Sequence, residues 1–367
     1  MVEANIPPWV WYLVAAGRLS PSADNSQPWR FVFDGQRLSV EFDETRGGQL
    51  GRTHPAVLLA FGALLENLVQ AARAAKIDTS RWEFSSLADT GCLVRIPVPD
   101  QPLAQSELPA VICARHTNRG PFERLPLPKE TVSALTTQRE GCAFVQAFAE
   151  QEAISQLAQL VRLASELRFQ TEEIHRWLAG SLRFTEEEAA RGDGLDVATL
   201  ALPPGGKWLS RFLSKWERMA ALNRLGAYKL LARIEAAQFT QAGAAVALVS
   251  KDVGDDAWLE AGRLLERIWL TLTEHKIAAH PYFVLSDQLW RLRTGEIPPN
   301  LQPTAERLAQ KARALFAERM PLMLLRVGRA RQPAKRSQRL PTASLLVTKA
   351  RAQHSKEQLC TRSNSPC

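Results

Sequence analysis

Apolar residues recur along the chain with two different periods, and the elements change where the period changes. Ile6 to Gly17 repeats as a helix behind Pro7 and Pro8, residues that lose nothing by lacking an N–H in a first turn. Trp29 to Phe33 and Leu38 to Phe42 read as strands, with Asp34-Gly35 as a turn signal between them. From Ala56 to Lys76 the apolar positions 57, 58, 61, 64, 65, 68 and 69 mark one long helix. Trp82 to Leu87 and Cys92 to Val98 predict a second hairpin. A Pro/Gln-rich link from Pro97 to Pro109 and a short apolar run to Ala114 follow.

Beyond Pro128 helical periodicity dominates. Lys129 to Gln138 and Glu150 to Arg191 are mostly helical, with a strand over Ala143 to Phe148. Gly192-Asp193-Gly194 and Leu202 to Gly206 interrupt the pattern before a further helical tract, Lys207 to Gln241. Ala244 to Ser250 reads as a buried strand, Asp255 to Lys276 and Leu301 to Glu318 as helices, and Pro321 to Val327 as a last strand. After about Pro341 the chain turns polar and rich in Lys, Arg, Ser and Gln, the composition of a loose tail. One internal echo stands out. Gly62, Leu64, Leu65, Glu66, Lys76 and Ile77 recur 200 positions later, from Gly262 to Ile277 (262 − 62 = 200).

Composition narrows the class of protein. Hydrophobic residues make up 46% of 367, enough for a substantial core. The net charge of +8 favours anionic partners without choosing among phosphorylated cofactors, nucleic acid and acidic surfaces. The five cysteines (Cys92, Cys113, Cys142, Cys360 and Cys367) are odd in number, spread out and free of any CxxC, a pattern of reduced thiols rather than of disulfides or zinc. Val10 to Ala16 is too short to span a membrane and no basic residue precedes it, so a soluble, cytoplasmic protein without a membrane partner is the expectation. No nucleophile–base pair, metal-ligand spacing, Walker loop or GxGxxG appears, so neither catalytic nor metal residues are assigned.

The strongest candidate chemistry lies in Arg115-His116-Thr117-Asn118-Arg119. On one helical turn the i, i+4 spacing would put Arg115 and Arg119 on one face with the Thr117 hydroxyl midway. Close to a helix N-terminus, that group suits a phosphate. Read alone, the same residues also make a solvated basic turn.

Taken with Pro21-Ser22-Ala23-Asp24-Asn25-Ser26-Gln27-Pro28-Trp29, this segment resembles two signatures of the FMN-dependent nitroreductase family, RxSxR and PSxxNxQPW. Gly262 to Pro281 is similar to that family's central helix and following turn, and Lys335 to Arg339 to its C-terminal basic strip. The order differs from the usual one, in which RxSxR comes first and two identical subunits share two flavin sites. Here PSADNSQPW lies in the first half and RHTNR opens the second, as in the single-chain twin-fold (Acg-type) branch.

The resemblance implies an α+β fold of two degenerate nitroreductase-like units, a pseudo-dimer with antiparallel-rich sheets flanked by long central helices. Residues 1–108 would form the first half, 109–340 the second with a helical insertion over about 150–241, and 341–367 a basic tail. One FMN site would lie between the halves. Arg115, Thr117, Arg119 and Arg339 would hold the phosphate, Ser22 and Asn25 would face the ring, and Pro281, Tyr282 and Phe283 would form the turn against its reactive nitrogen. Trp29 reads as a core anchor, and Glu66 and Glu266 as helix polar positions rather than acids or bases.

The activity implied is hydride or electron transfer from NAD(P)H to a small organic acceptor, a quinone or nitro compound. Two alternatives stay open: a non-catalytic flavoprotein that sequesters FMN, with the 150–241 region as a lid, and a basic nucleic-acid-binding protein. The nucleic-acid reading is the weaker, because no helix-turn-helix, zinc or RNP motif supports it, and nucleic acid is not expected as a partner. A monomer or a homodimer fits equally.

Overall fold

The computed structural model describes residues 6–47 and 50–348. Two five-stranded sheets and two long helices organise it. In the first half, α1 (Pro8–Arg18) leads to β1 (Trp29–Phe33) and β2 (Arg37–Phe42), then α2 (Pro55–Ala74), β3 (Glu83–Phe84) and β4 (Cys92–Pro97). A short α3 (Ala110–Ala114) ends the link. The second half runs through α4 (Lys129–Thr136), β5 (Arg139–Glu140), β6 (Ala143–Phe148), α5 (Gln151–Arg168) and α6 (Glu172–Ser181). A two-stranded parallel pair, β7 (Leu182–Arg183) and β8 (Leu195–Asp196), precedes α7 (Gly206–Leu213), α8 (Trp216–Asn223) and α9 (Ala227–Phe239). Then come β9 (Ala244–Ser250), α10 (Asp255–Glu274), β10 (Ala278–Tyr282), α11 (Val284–Thr294), α12 (Gln302–Phe316) and β11 (Met320–Gly328). The last strand is β12 (Leu346–Thr348).

The first sheet has the order β12-β1-β2-β4-β3 and is mixed, because β12 joins β1 in parallel while its other pairs are antiparallel. The second, β10-β11-β9-β6-β5, is antiparallel throughout. The fold is therefore α+β with antiparallel-rich sheets. The strands expected over 29–33, 143–148 and 244–250 match their observed bounds, since each is a compact apolar run between turn residues.

The helices α2 and α10 cross at the centre. α2 is long and apolar enough to span a bilayer, yet it is buried in the core. The 200-residue echo has a physical reason at the crossing. Gly62 and Gly262 meet there, and a Cβ on Gly62 would overlap the Leu259 carbonyl and sit 2.8 Å from Gly262 Cα. Only glycine on both helices lets the backbones approach this closely. The repeated glutamates, read as helix polar positions, are buried ion-pair members. Glu66 accepts from Arg267 at 3.0 and 2.9 Å, and Glu266 faces Arg115.

Several expectations are corrected. RHTNR is not a helical turn: α3 stops at Ala114, Arg115 has φ −59° and ψ 128°, and the segment runs extended beside β10. Pro281 and Tyr282 belong to strand β10 rather than to a turn; Pro281 is tolerated because β10 is an edge strand. Phe283 then caps α11, a helix the sequence reading did not anticipate. The second hairpin is reduced to a two-residue β3, with a helical turn at Leu87–Thr90. Finally, 342–348 is folded and not loose: Thr342–Leu345 turns helical and Leu346 pairs with Phe31. The rest of the expected tail, with Cys360 and Cys367, lies outside the described residues.

Candidate functional site

The loop before β1 is held in a conformation few residues accept. Asp24, Asn25 and Gln27 have φ of 47°, 59° and 49°, the left-handed region in which Asn and Asp are the least costly non-glycine residues. Ser22 Oγ accepts from the Gln27 N–H at 2.9 Å and closes the turn. The Asn25 amide donates to the carbonyls of Gly192 and Gly194 at 3.1 Å each and of Gln338 at 2.9 Å, while its oxygen accepts from Arg339 at 2.6 Å. Gln27 adds a bond to the Gly192 carbonyl and takes one from the Leu340 N–H. Three distant segments are thus clasped together: this loop, the Gly192-Asp193-Gly194 turn and the extended stretch before β12. Gly192 has φ +82°, and a Cβ there would overlap the Arg339 carbonyl, so the glycine is required by close approach.

Because the Arg115 segment is extended, period two replaces the expected helical period. Residues 115, 117 and 119 share one side by i, i+2, i+4 alternation. Thr117 bridges Ala279, and the Asn118 N–H donates to the Ala279 carbonyl at 3.0 Å. The two arginines then differ. Arg115 is committed: its side chain is 2% exposed, Nε lies 2.9 Å from Glu266 Oε1, a second nitrogen donates to the Leu19 carbonyl, and the guanidinium sits over Trp269. The Nε–H is not aligned on the Glu266 oxygen, so the pair is held by charge more than by a hydrogen bond. Burial pushes the Glu266 carboxyl up to about 7 against the pull of Arg115. By contrast, the Arg119 guanidinium has no hydrogen bond or ion pair among the described residues. Burial holds its pKa below the usual value, with Asp24 and Tyr282 working the other way.

Positive charge concentrates beside the Arg115 segment. Arg339 is pushed down to about 9, first by burial and next by Arg115, with Arg18 and Arg119 adding repulsion. Opposite it, Asp24 is raised to about 6 by burial despite the nearby Arg119 and Arg168. The residue as a whole is only partly buried, but its Oδ2 is buried and unpartnered. From the β10 side, the partly buried His280 is held well below 6.5 by burial and by Arg119 and Arg326. Its Nδ1 accepts from Arg326 Nε at 3.2 Å. Arg326 is itself buried and donates to the carbonyls of Arg119 and Gly120 at 2.9 and 2.8 Å, which fixes the extended segment in place. The Tyr282 hydroxyl is buried without a partner, and burial raises its pKa.

Asp24, Arg119, His280, Tyr282 and Arg339 line one cavity of about 660 Å³, with Arg326 behind them. Ser22, Asn25, Arg115, Thr117, Arg119 and Arg339 all border it, as do Pro281, Tyr282 and Phe283, so the structure gathers every site residue expected from the sequence. Not all are free. Asn25 and Arg115 have their polar atoms engaged elsewhere, whereas Arg119, the Arg339 Nε and the Tyr282 hydroxyl are available. The outer wall comes from the helical tract: Phe169 just after α5, Ile174, Trp177 and Leu178 from α6, and Leu231 and Ile234 from α9. His54 caps α2 by accepting from the Ala56 N–H at 3.2 Å, and burial pushes it down to about 4, so it borders the cavity uncharged.

Asp24, His280 and Arg326 were missed. A single cation inside the apolar strand Pro321 to Val327 was the available signal for Arg326. Nothing in the sequence marks Asp24 apart from its motif neighbours. Trp29 is fully buried against Phe61, in keeping with a core anchor.

No family model matches the chain, and no curated protein does. Among solved structures it is similar to the FMN-dependent nitroreductase NfnB from Mycobacterium smegmatis in complex with NADPH. Identity is 18%, coverage 64% of this chain and 94% of that one, and the TM-score 0.38. A nitroreductase with bound FMN from Bacteroides fragilis gives 10% identity, coverage of 62% and 89%, and a TM-score of 0.33. Another with bound FMN, from Desulfitobacterium hafniense, gives 15%, 63% and 92%, and 0.35. Likenesses with TM-scores of this size carry no functional weight, and the site's own residues must do so.

Proposed function

We propose that the chain is an FMN-binding, nitroreductase-like oxidoreductase that passes hydride or electrons from NAD(P)H to a small organic acceptor. The observation that carries this reading is that Arg119 and Arg339, both bordering the cavity, are in no ion pair among the described residues. Arg119 makes no side-chain hydrogen bond there either, and its main opposing charge is Asp24, whose own carboxyl is raised to about 6. Arg339 is depressed to about 9 by burial and by Arg115, with Glu266 working the other way. Buried cations persist when something pairs with them, and a phosphate in the cavity would do so. A volume of about 660 Å³ lies in the range of cofactor pockets. The apolar outer wall offers a surface for a flat aromatic ring.

In this reading Arg119 and Arg339 hold the phosphate, with Thr117 between them and the extended segment. Arg115 and Asn25 act one step back: Arg115 fixes the segment to α10, and Asn25 orients Arg339. FMN, when bound, supplies the hydride chemistry, so no acid–base pair of the protein is required for it. We read the two sheets and the α2–α10 crossing as two degenerate units sharing one flavin site, and the protein as cytoplasmic.

A second reading has its own observation. The Asn25–Gln27 clasp ties the Gly192 turn to this loop, and residues of the 150–241 tract wall the cavity, an arrangement that would suit a flavin store. Visible absorption of the purified chain, before and after adding FMN, tests flavin binding; a colourless protein that FMN does not perturb would end both readings. If flavin is held, NAD(P)H oxidation with a quinone acceptor separates enzyme from store.

A further inference from the structure

The wall of the cavity has an outer surface that its own packing does not explain. In α9, Ala232, Ala236 and Phe239 are buried where the helix lies on α5, as an amphipathic helix requires. Yet the opposite face carries Leu230, exposed by 61%, and at i+4 from it Ile234, exposed by 50% at the rim of the cavity. The turn before it ends in Leu225, 85% exposed, and α7 presents Trp208 at 71% and Leu209 at 44%. Single exposed apolar residues need no explanation, but a Trp and four aliphatics within one short tract do.

Within the tract itself the charge is one-sided. Lys207, Arg211, Lys215 and Arg218 are exposed on and beside α7 and α8, and Arg224, Lys229 and Arg233 around α9. The only exposed acid from 205 to 235 is Glu217, which Arg176 already pairs at 3.2 Å. Exposed Trp and Leu set among lysines and arginines are what an interfacial helix presents to anionic headgroups. The rings and aliphatic chains enter the headgroup boundary while the long cationic side chains reach the lipid phosphates. A second copy of this chain is disfavoured, since it would bring seven cations against seven. The residues from 349 onward are themselves basic in composition, so they are electrostatically mismatched to this face.

We propose that the α7–α9 face is a docking surface for an anionic lipid bilayer, so that the chain binds membranes peripherally. The sequence expectation of no membrane partner rested on the lack of a spanning segment, and surface docking needs none. This inference does not depend on what the cavity holds. It does have a consequence for the cavity: Leu202 and Ile234 both line it and are exposed, which places its rim on the docking side.

Co-sedimentation of the full chain with phosphatidylcholine vesicles, with and without phosphatidylglycerol, tests the proposal. Binding should require the anionic lipid and weaken with salt. Replacing Trp208 and Leu225 with Glu should lower partitioning at least ten-fold, and Lys229→Gln with Arg233→Gln roughly five-fold for each residue. All four side chains are exposed, so unchanged circular dichroism is expected and serves as the folding control. Failure to sediment with anionic vesicles would overturn the proposal, as would equal sedimentation of the Trp208/Leu225 variant, which would place the contact elsewhere. Retention of duplex DNA in place of vesicles, or a dimer that the same variant abolishes without vesicle binding, would reassign the face to another occupant.

Discussion

At the scale of single residues, two arginines four apart carry different burdens, and substitution should tell them apart. Arg119→Ala removes a guanidinium with no ion-pair partner among the described residues, so the fold should keep its urea midpoint. FMN affinity, followed by flavin fluorescence quenching, should fall roughly ten- to hundred-fold, the value of one charge-assisted bond. Arg115→Ala instead strands the buried Glu266. Breaking such a pair costs about 3–5 kcal/mol, so the midpoint should drop before any ligand is added. Equal losses of stability in both variants would contradict this division.

Asp24 adds a pH dependence. Its carboxyl is raised from 3.8 to about 6, so the folded state favours the protonated form. The stability it contributes is whole below about pH 4 and is lost as pH rises through about 6. Relative to Asp24→Asn, the native chain should therefore weaken between pH 4 and 6. Over the same rise its carboxylate begins to compete for Arg119, so FMN affinity should fall relative to the Asn variant. Phosphate ionisation affects both proteins alike and cancels in the ratio. The residues of this site were legible as motifs because their chemistry is local. What hid was their commitment: no spacing rule reveals that Asn25 is used up by Gly192, Gly194 and Gln338, since those partners lie more than 160 positions away.

Elements were most legible where one strong period ran uninterrupted, as in α2, α10 and β9. They were lost where a single residue argued against the element, as Pro281 did in β10, and where competing readings shared one spacing. RHTNR shows the second failure clearly. Its i, i+4 arginines fit a helical face, but they equally fit alternate positions of an extended chain, and the backbone partner that decides, Ala279, is far away in sequence. The Gly62–Gly262 echo was readable as repetition while its cause was not. That cause gives a prediction. Gly62→Ala or Gly262→Ala pushes a Cβ into a carbonyl of the facing helix, Leu259 or Leu59, and backbone cannot yield as a side chain does. Each single variant should lose about 3 kcal/mol or more by urea denaturation, at or above the usual limit for overpacking. A neutral result at either position would mean that the helices can separate freely.

The whole molecule depends on chain that returns from the second sheet to the first. After β11 the chain passes the cavity, where Arg339 meets Asn25 and Leu340 meets Gln27 and Arg18, and then inserts β12 beside β1. From about Pro341 this return reads as a loose tail in the sequence because the composition there turns polar and the strand it leads to is three residues long. Composition cannot show that a short segment completes a distant sheet. Leu345 and Leu346 are buried on arrival, each worth about 1.5–3 kcal/mol, and without them the β1 edge and its core face are opened. Two truncations isolate the contribution: one ending at Thr348 and one at Pro341. The shorter should be less stable than the longer by about 3–5 kcal/mol in urea, and should hold FMN less tightly, because Arg339 and Leu340 lose the anchor that keeps them over the cavity. If the two truncations unfold together, β12 adds nothing to the fold and the clasp alone must secure the return.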